Sequence, residues 1–203
     1  MSGNRLIGML VVVFLAATAA AQVNELSVTA GRTFVSTQTI QSLNIPVHFG
    51  NEETVAFGYA RLLKTVRIFG FSAELPVVIY PRMDLNAPQN VIPKDIGALF
   101  VTPSFRVNFF SGESVSPWVS AGGGYGRFRA SSDMNFFGSN PGPTGTNTGV
   151  VQFGGGLDVW FWQHWGFRAE ARDFYSGEAP LNVDTGRSRM HNYYVGAGFL
   201  HRF

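Results

Sequence analysis

The chain has no cysteine among its 203 residues. Disulfides are therefore excluded, and so is a lipid-modified cysteine behind a leader. Charge is scarce: charged residues make up 14 %, the formal net charge is +2, and no basic run interrupts that balance. Nothing here gives nucleic acid an electrostatic footprint. Beyond residue 21 no stretch of 18 consecutive apolar residues occurs, so no helical membrane span is expected. His48, His164, His191 and His201 are scattered, without the H-E-x-x-H spacing of a metal site. The glycine run at Gly122, Gly123, Gly124 and Gly126 is not followed by the GxxxxGK[ST] pattern of a phosphate loop. No metal, cofactor or nucleic-acid partner is expected.

Glycine (24) and phenylalanine (19) are abundant. Arg5 is the single charge in residues 1–21, an apolar run follows from Leu6 to Ala17, and Ala19, Ala20 and Ala21 close it. A charged start, an apolar stretch of about 12 residues and an A-x-A site at Ala19 and Ala21 read as a secretory signal peptide, too short for an anchor. Cleavage is expected after Ala21, leaving residues 22–203 as one domain. Loss of Arg5 would leave 14 basic against 13 acidic residues.

The rest of the chain alternates with a period of two. Eight segments show it: about 25–34, 54–62, 67–80, 96–109, 117–129, 149–161, 166–174 and 192–203. In the third, Phe69, Phe71, Ala73, Leu75 and Val77 oppose Gly70, Ser72 and Glu74. In the seventh, Phe167, Ala169 and Ala171 oppose Arg168, Glu170 and Arg172. Such strands have one apolar and one polar face. The connections alternate as well. Residues 63–66, 110–116 and 162–165 are short; about 35–53, 81–95, 130–148 and 175–190 are long. Short turns at one end and long loops at the other are the pattern of a barrel in an outer membrane. A soluble sandwich has no reason to sort its turns in this way.

Backbone groups in lipid find no solvent partner, so a sheet there must close on itself. Eight strands leave a lumen just wide enough for side chains to fill. The glycines at 122–126, expected to face Gly154, Gly155 and Gly156, suit a narrow, strongly curved wall. Trp118, Trp160, Trp162 and Trp165 all fall beside short turns. Trp118, Trp162 and Trp165 are accordingly expected at the membrane–water interface.

The segment GGGLDVWFWQHWGFRAEARDF (154–174), the eight-strand count and the terminal strand NYYVGAGFLHRF (192–203) carry a family resemblance. The chain resembles the eight-stranded barrel domain of the OmpA/OmpX-like superfamily. The resemblance implies an all-β fold: an antiparallel up-and-down transmembrane barrel, behind a cleavable signal peptide. It implies the outer membrane of a Gram-negative-type bacterium, with outer-membrane lipid and the barrel assembly machinery as partners. Tyr193, Val195, Phe199 and the terminal Phe203 then resemble the assembly signal of such barrels. Full-length OmpA adds a carboxy-terminal peptidoglycan-binding domain that this sequence does not display, so cell-wall anchoring is not expected.

Glu74, Arg106, Asp158, Arg168, Glu170 and Arg172 share the polar phase of their strands, and are expected to form an ion-paired filling of the lumen. Asp158 is the nearest expected partner for Arg168 or Arg172, while Glu74 can meet Arg106. A lipid-modifying enzyme would need a Ser, a His and an acid on the outer wall. Ser188, His191 and Asp184 lie near one another in sequence but match no such motif, so no enzymatic activity is expected. The expected role is structural, or surface interaction through the external loops. A narrow pore for small solutes is the alternative, and a lipid A-modifying enzyme is a distant third. The sequence names no surface ligand.

Overall fold

A computed structural model describes residues 23–203. Ala19, Ala21 and the expected cleavage site lie outside them. Among the described residues there are eleven strands and no helix. They are β1 (Asn24–Val35), β2 (Gln38–Ile40), β3 (Ile45–Phe49), β4 (Glu52–Val66), β5 (Phe69–Asn86) and β6 (Asp95–Val101), then β7 (Ser104–Phe109), β8 (Val115–Ala130), β9 (Gly145–Trp160), β10 (Trp165–Gly177) and β11 (Arg189–Arg202).

Sequential pairing carries the sheet from β1 through β4, β5, β6/β7, β8, β9 and β10 to β11, always antiparallel. β11 then pairs back onto β1, from Glu25 opposite Arg202 to Val35 opposite Asn192. The ring so closed has no open edge, as a sheet in lipid requires. β6 and β7 are two parts of one stave. Val77 sits opposite Val101 and Glu74 opposite Ser104, so the register is unbroken across the gap. The interruption falls where Pro76 and Pro103 come together, and neither can donate a ladder hydrogen bond. The Thr102 N–H still reaches the Pro76 carbonyl at 3.2 Å. Counted this way, the ring has eight staves.

Three short turns, at residues 67–68, 110–114 and 161–164, close one end. The other end differs from expectation in extent. β5 continues to Asn86 past a bulge between Tyr80 and Met83, and β9 begins at Gly145. The segment 35–53 contains a hairpin, β2 with β3, turned at Asn44 with φ 53°. Its Ile40 and Val47 are fully buried, and β3 pairs with the far end of β5. These residues alternate over too few positions to show a period.

The outer wall is a belt of exposed apolar side chains, among them Leu26, Val28, Phe57, Phe105, Val119, Phe153, Phe167, Val195 and Phe199. An apolar girdle of this extent has no place on a protein surrounded by water. The inner wall is polar toward the short turns and apolar toward the long connections. There Tyr80, Met83, Ile92, Ile96, Phe100, Phe128 and Phe174 form one buried cluster with Ile40 and Val47 of the hairpin.

The expected facing of two glycine runs is not what the register gives. Gly122 opposes Gln152 and Gly124 opposes Val150, whereas Gly154, Gly155 and Gly156 oppose Ser120, Val119 and Trp118. A Cβ at Gly156 would lie 2.6 Å from the Trp118 ring. This glycine makes room for an indole inside the barrel.

Candidate functional site

Alternation decides which side chains enter the lumen. On β10, Phe167 points outward, so Arg168, Glu170 and Arg172 point inward and are buried. Asp158 enters from β9, Arg106 from β7 and Glu74 from β5. The structure brings all six into one network. Asp158 takes Arg168 with both oxygens, at 2.7 Å each. Arg172 bonds Glu170 at 2.9 Å and also pairs with Glu74. The Arg106 Nε lies 3.7 Å from Glu74 Oε2.

Two members come from strands where sequence reasoning named none. Glu25 on β1 is the close partner of Arg106, and lies 3.8 Å from Arg168. Arg202 on β11 reaches Glu25 at 3.1 Å. Both were legible by phase, since Glu25 shares the face of Ser27 and Thr29 and Arg202 that of Leu200. With them the cluster has four carboxylates and four guanidiniums, and its charge is balanced.

Trp118 corrects an expectation. It is 1 % exposed and lies inside the lumen rather than at the interface. Its indole N–H donates to Asp158 Oδ1 at 3.0 Å. The Arg168 and Arg172 guanidiniums each lie 4.9 Å from the ring centroid, and that of Arg106 lies at 5.8 Å. Trp118 shares the phase of Ser116 and Ser120, which point inward; its nearness to a turn does not move it to the other face. Three cations on one indole are held by cation–π attraction in a site closed to water. Trp162 and Trp165 do point outward, exposed at 71 % and 45 %. Trp160 lies under Arg202, whose guanidinium stands 3.9 Å from its ring centroid.

Above the network, Thr29 donates to Glu170 at 2.7 Å and meets the Tyr194 hydroxyl at 2.8 Å. The Tyr80 hydroxyl donates to Asn192 at 3.1 Å, and the apolar cluster begins there. Below the network, a recess of about 190 Å³ opens at the short-turn end, between Ser72, Asn108, Ser116 and the Glu25 carboxylate.

Tyr193, Val195 and Phe199 face outward on β11. Phe203 is exposed at the rim, with its backbone paired to Asn24 through two 2.9 Å hydrogen bonds. His191 is held by Asp173 at 2.7 Å, between Tyr175 and Tyr193, rather than by Asp184. The Asp184 carboxylate instead accepts from the Gly186 N–H at 2.7 Å. At the loop end, Phe136 and Phe137 are exposed side by side. Asn90 binds the Phe137 carbonyl at 2.8 Å and the Phe136 N–H at 2.9 Å. Among the described residues, no group of three His, Cys, Asp or Glu is gathered as metal ligands.

No family model matches the chain, and no curated relative matches it. Solved structures do. Neisserial surface protein A (NspA) superposes with a TM-score of 0.56 at 14 % identity, over 89 % of this chain and 97 % of its own. The outer-membrane protein OprG of Pseudomonas aeruginosa gives 0.55 at 11 % identity, over 90 % and 95 %. The outer-membrane protein AlkL, solved in lipid bilayers, gives 0.55 at 15 % identity, over 92 % and 94 %. The closed ring, the apolar belt and these superpositions agree, and the chain has the fold of the eight-stranded, OmpA/OmpX-like outer-membrane β-barrels.

Proposed function

We propose that this chain is an integral outer-membrane barrel whose role is structural, or is surface interaction through its external loops, and that it does not conduct solutes. The observation that carries this reading is the filling of the lumen. Arg106, Trp118 and Arg168 are at most 2 % exposed, and so are Tyr80, Phe100, Phe128 and Phe174 further along the axis. A solute entering at the recess beside Glu25 would have to part a balanced cluster of ion pairs, and would then meet packed aromatic rings. An eight-stranded ring leaves no spare width for a path around them.

The loops offer the better surface for a partner. Phe136 and Phe137 are presented outward on a segment that Asn90 fixes through two backbone hydrogen bonds. An aromatic pair held in place before contact loses little entropy on binding.

The test is reconstitution of the parent chain into liposomes, with swelling followed in isotonic small sugars and amino acids. No swelling above empty liposomes is expected. Swelling that grows with protein content and falls with solute size would replace this reading with that of a narrow pore.

A further inference from the structure

The outer wall of β8 carries two arginines without a partner. Its outward residues run Val115, Val119 and Tyr125, then Arg127 and Arg129, all exposed. From Val115 to Tyr125 is about ten residues, which at ~3.3 Å each and a tilt near 40° rise about 25 Å. That is the height of an apolar membrane band, and Tyr125 then stands at its upper edge. Its hydroxyl donates to Asn147 at 2.7 Å, as a half-wet interfacial ring would. The arginines lie directly above. Among the described residues, no carboxylate is within ion-pair distance of either.

The neighbouring strands leave Arg129 room. It lies between Gly97 on β6 and Gly145 on β9. The bulge in β5 brings the Pro81 carbonyl against Gly97, where a Cβ would collide with it. The bare backbone on both sides opens a notch of about 500 Å³, into which Arg127, Arg129, Ser131, Ser132 and Thr144 face. Asp95 is the one acid on its lining, and Arg82 already binds that carboxylate at 3.0 and 3.1 Å.

We propose that this notch binds the phosphate of an anionic lipid headgroup in the outer leaflet. The proposal rests on the membrane reading given above. Two guanidiniums provide planar, paired donors that match phosphate oxygens, and the hydroxyls add further donors. The height of the notch selects a lipid over a soluble anion. A headgroup is delivered there by its own acyl chains, lying along the apolar belt below Tyr125.

The experiment places the full barrel in phosphatidylcholine nanodiscs doped with phosphatidic acid, and counts retained lipid by native mass spectrometry. The parent is expected to retain phosphatidic acid in preference to phosphatidylcholine. At roughly fivefold per basic residue near an anionic surface, Arg127→Gln with Arg129→Gln should lower that retention by on the order of tenfold or more. Gly145→Leu keeps both charges and fills the shelf. Its new Cβ meets only the Phe128 carbonyl, at 3.7 Å, so the barrel accommodates it, and retention should fall as well. Retention by the double arginine variant equal to the parent's would overturn the proposal. So would equal affinity of the parent for inorganic phosphate in detergent, which would make this a site for free anions. A parent chain that folds but does not enter the nanodisc would overturn the membrane reading itself, a result distinguishable from both.

Discussion

In the half of the lumen nearer the short turns, three arginines crowd the face of Trp118 among four carboxylates. In the half nearer the long connections, Phe100 stacks on Phe174 at 5.0 Å and meets Phe128 edge-on at 5.8 Å. Both halves are packed to near-zero exposure, but they differ in what packing demands. An apolar side chain needs volume and gains from any neighbour of the right size. A buried charge needs one particular partner in one particular place, and its desolvation can exceed what the pair returns. The apolar half therefore contributes stability and tolerates repacking. The ionic half contributes little net stability but couples strands far apart in sequence. Glu25 on β1 meets Arg106 on β7, and Arg172 on β10 meets Glu74 on β5. A one-residue register slip in any of these strands would turn a charge toward lipid, and a two-residue slip would separate the charge partners, so the network selects one way of closing the ring.

The contrast is broken most severely by removing one charge. Asp158→Ala leaves Arg168 without its bidentate partner and Trp118 without its acceptor. The expected loss is about 3–5 kcal/mol in reversible urea unfolding in lipid. Replacing both partners, Asp158→Leu with Arg168→Met, should recover part of that loss, because apolar groups of similar size avoid the desolvation, while the Trp118 N–H stays without its acceptor. A single variant within about 1 kcal/mol of the parent would show that the network is solvated and that the two halves are alike.

The sequence displays this contrast unevenly. Strands such as β10 alternate plainly because lipid faces one side and ions the other: Phe167, Arg168, Ala169, Glu170. In the apolar half both faces are hydrophobic, and the alternation fades. Within the run Val77, Val78, Ile79, Tyr80 hydrophobicity does not separate the faces, and only the phase carried on from Ser72 and Glu74 marks Val78 and Tyr80 as the buried pair. The ion network was accessible through phase alone. Trp118 defies the interfacial habit of tryptophan because its phase with Ser116 and Ser120, not its nearness to a turn, sets the face it occupies. The notch beside Arg129 could not be read, because it depends on which glycines the register sets beside that arginine.

Substitutions that keep most of the volume sharpen the comparison at an intermediate scale. Trp118→Phe removes one N–H and part of the aromatic face. It should cost about 1–3 kcal/mol, since Asp158 then loses a hydrogen bond in a site closed to water. Phe174→Leu in the apolar half should cost less, roughly 1–1.5 kcal/mol, because its neighbours can close the gap. The same urea titrations decide the order. A Phe174→Leu loss larger than that of Trp118→Phe would mean that shape constrains the apolar half more tightly than hydrogen bonding constrains the ionic one.

The smallest effect is expected beyond both halves, at the loop end. Asn90 joins two long connections through the Phe137 carbonyl and the Phe136 N–H, and all three residues lie outside the buried cluster. In Asn90→Ala water can replace both hydrogen bonds, so global unfolding should move by no more than about 0.5 kcal/mol. The local consequence is different. The Phe136 amide loses its acceptor, and the segment bearing both rings is then tied to the connection between β5 and β6 only through Asp133, Met134 and Asn135. Its hydrogen exchange should accelerate while that of the barrel amides stays unchanged. Phe136→Ala should leave both readouts near the parent's, because its ring is largely exposed. Ile92, next to the same tip but fully buried in the apolar cluster, supplies the contrast: Ile92→Ala should cost about 2–5 kcal/mol. If Asn90→Ala instead destabilised the whole barrel as much as Phe174→Leu, the tip would be part of the cooperative core. The boundary between packed lumen and presented loop would then lie further from the membrane than Ile92.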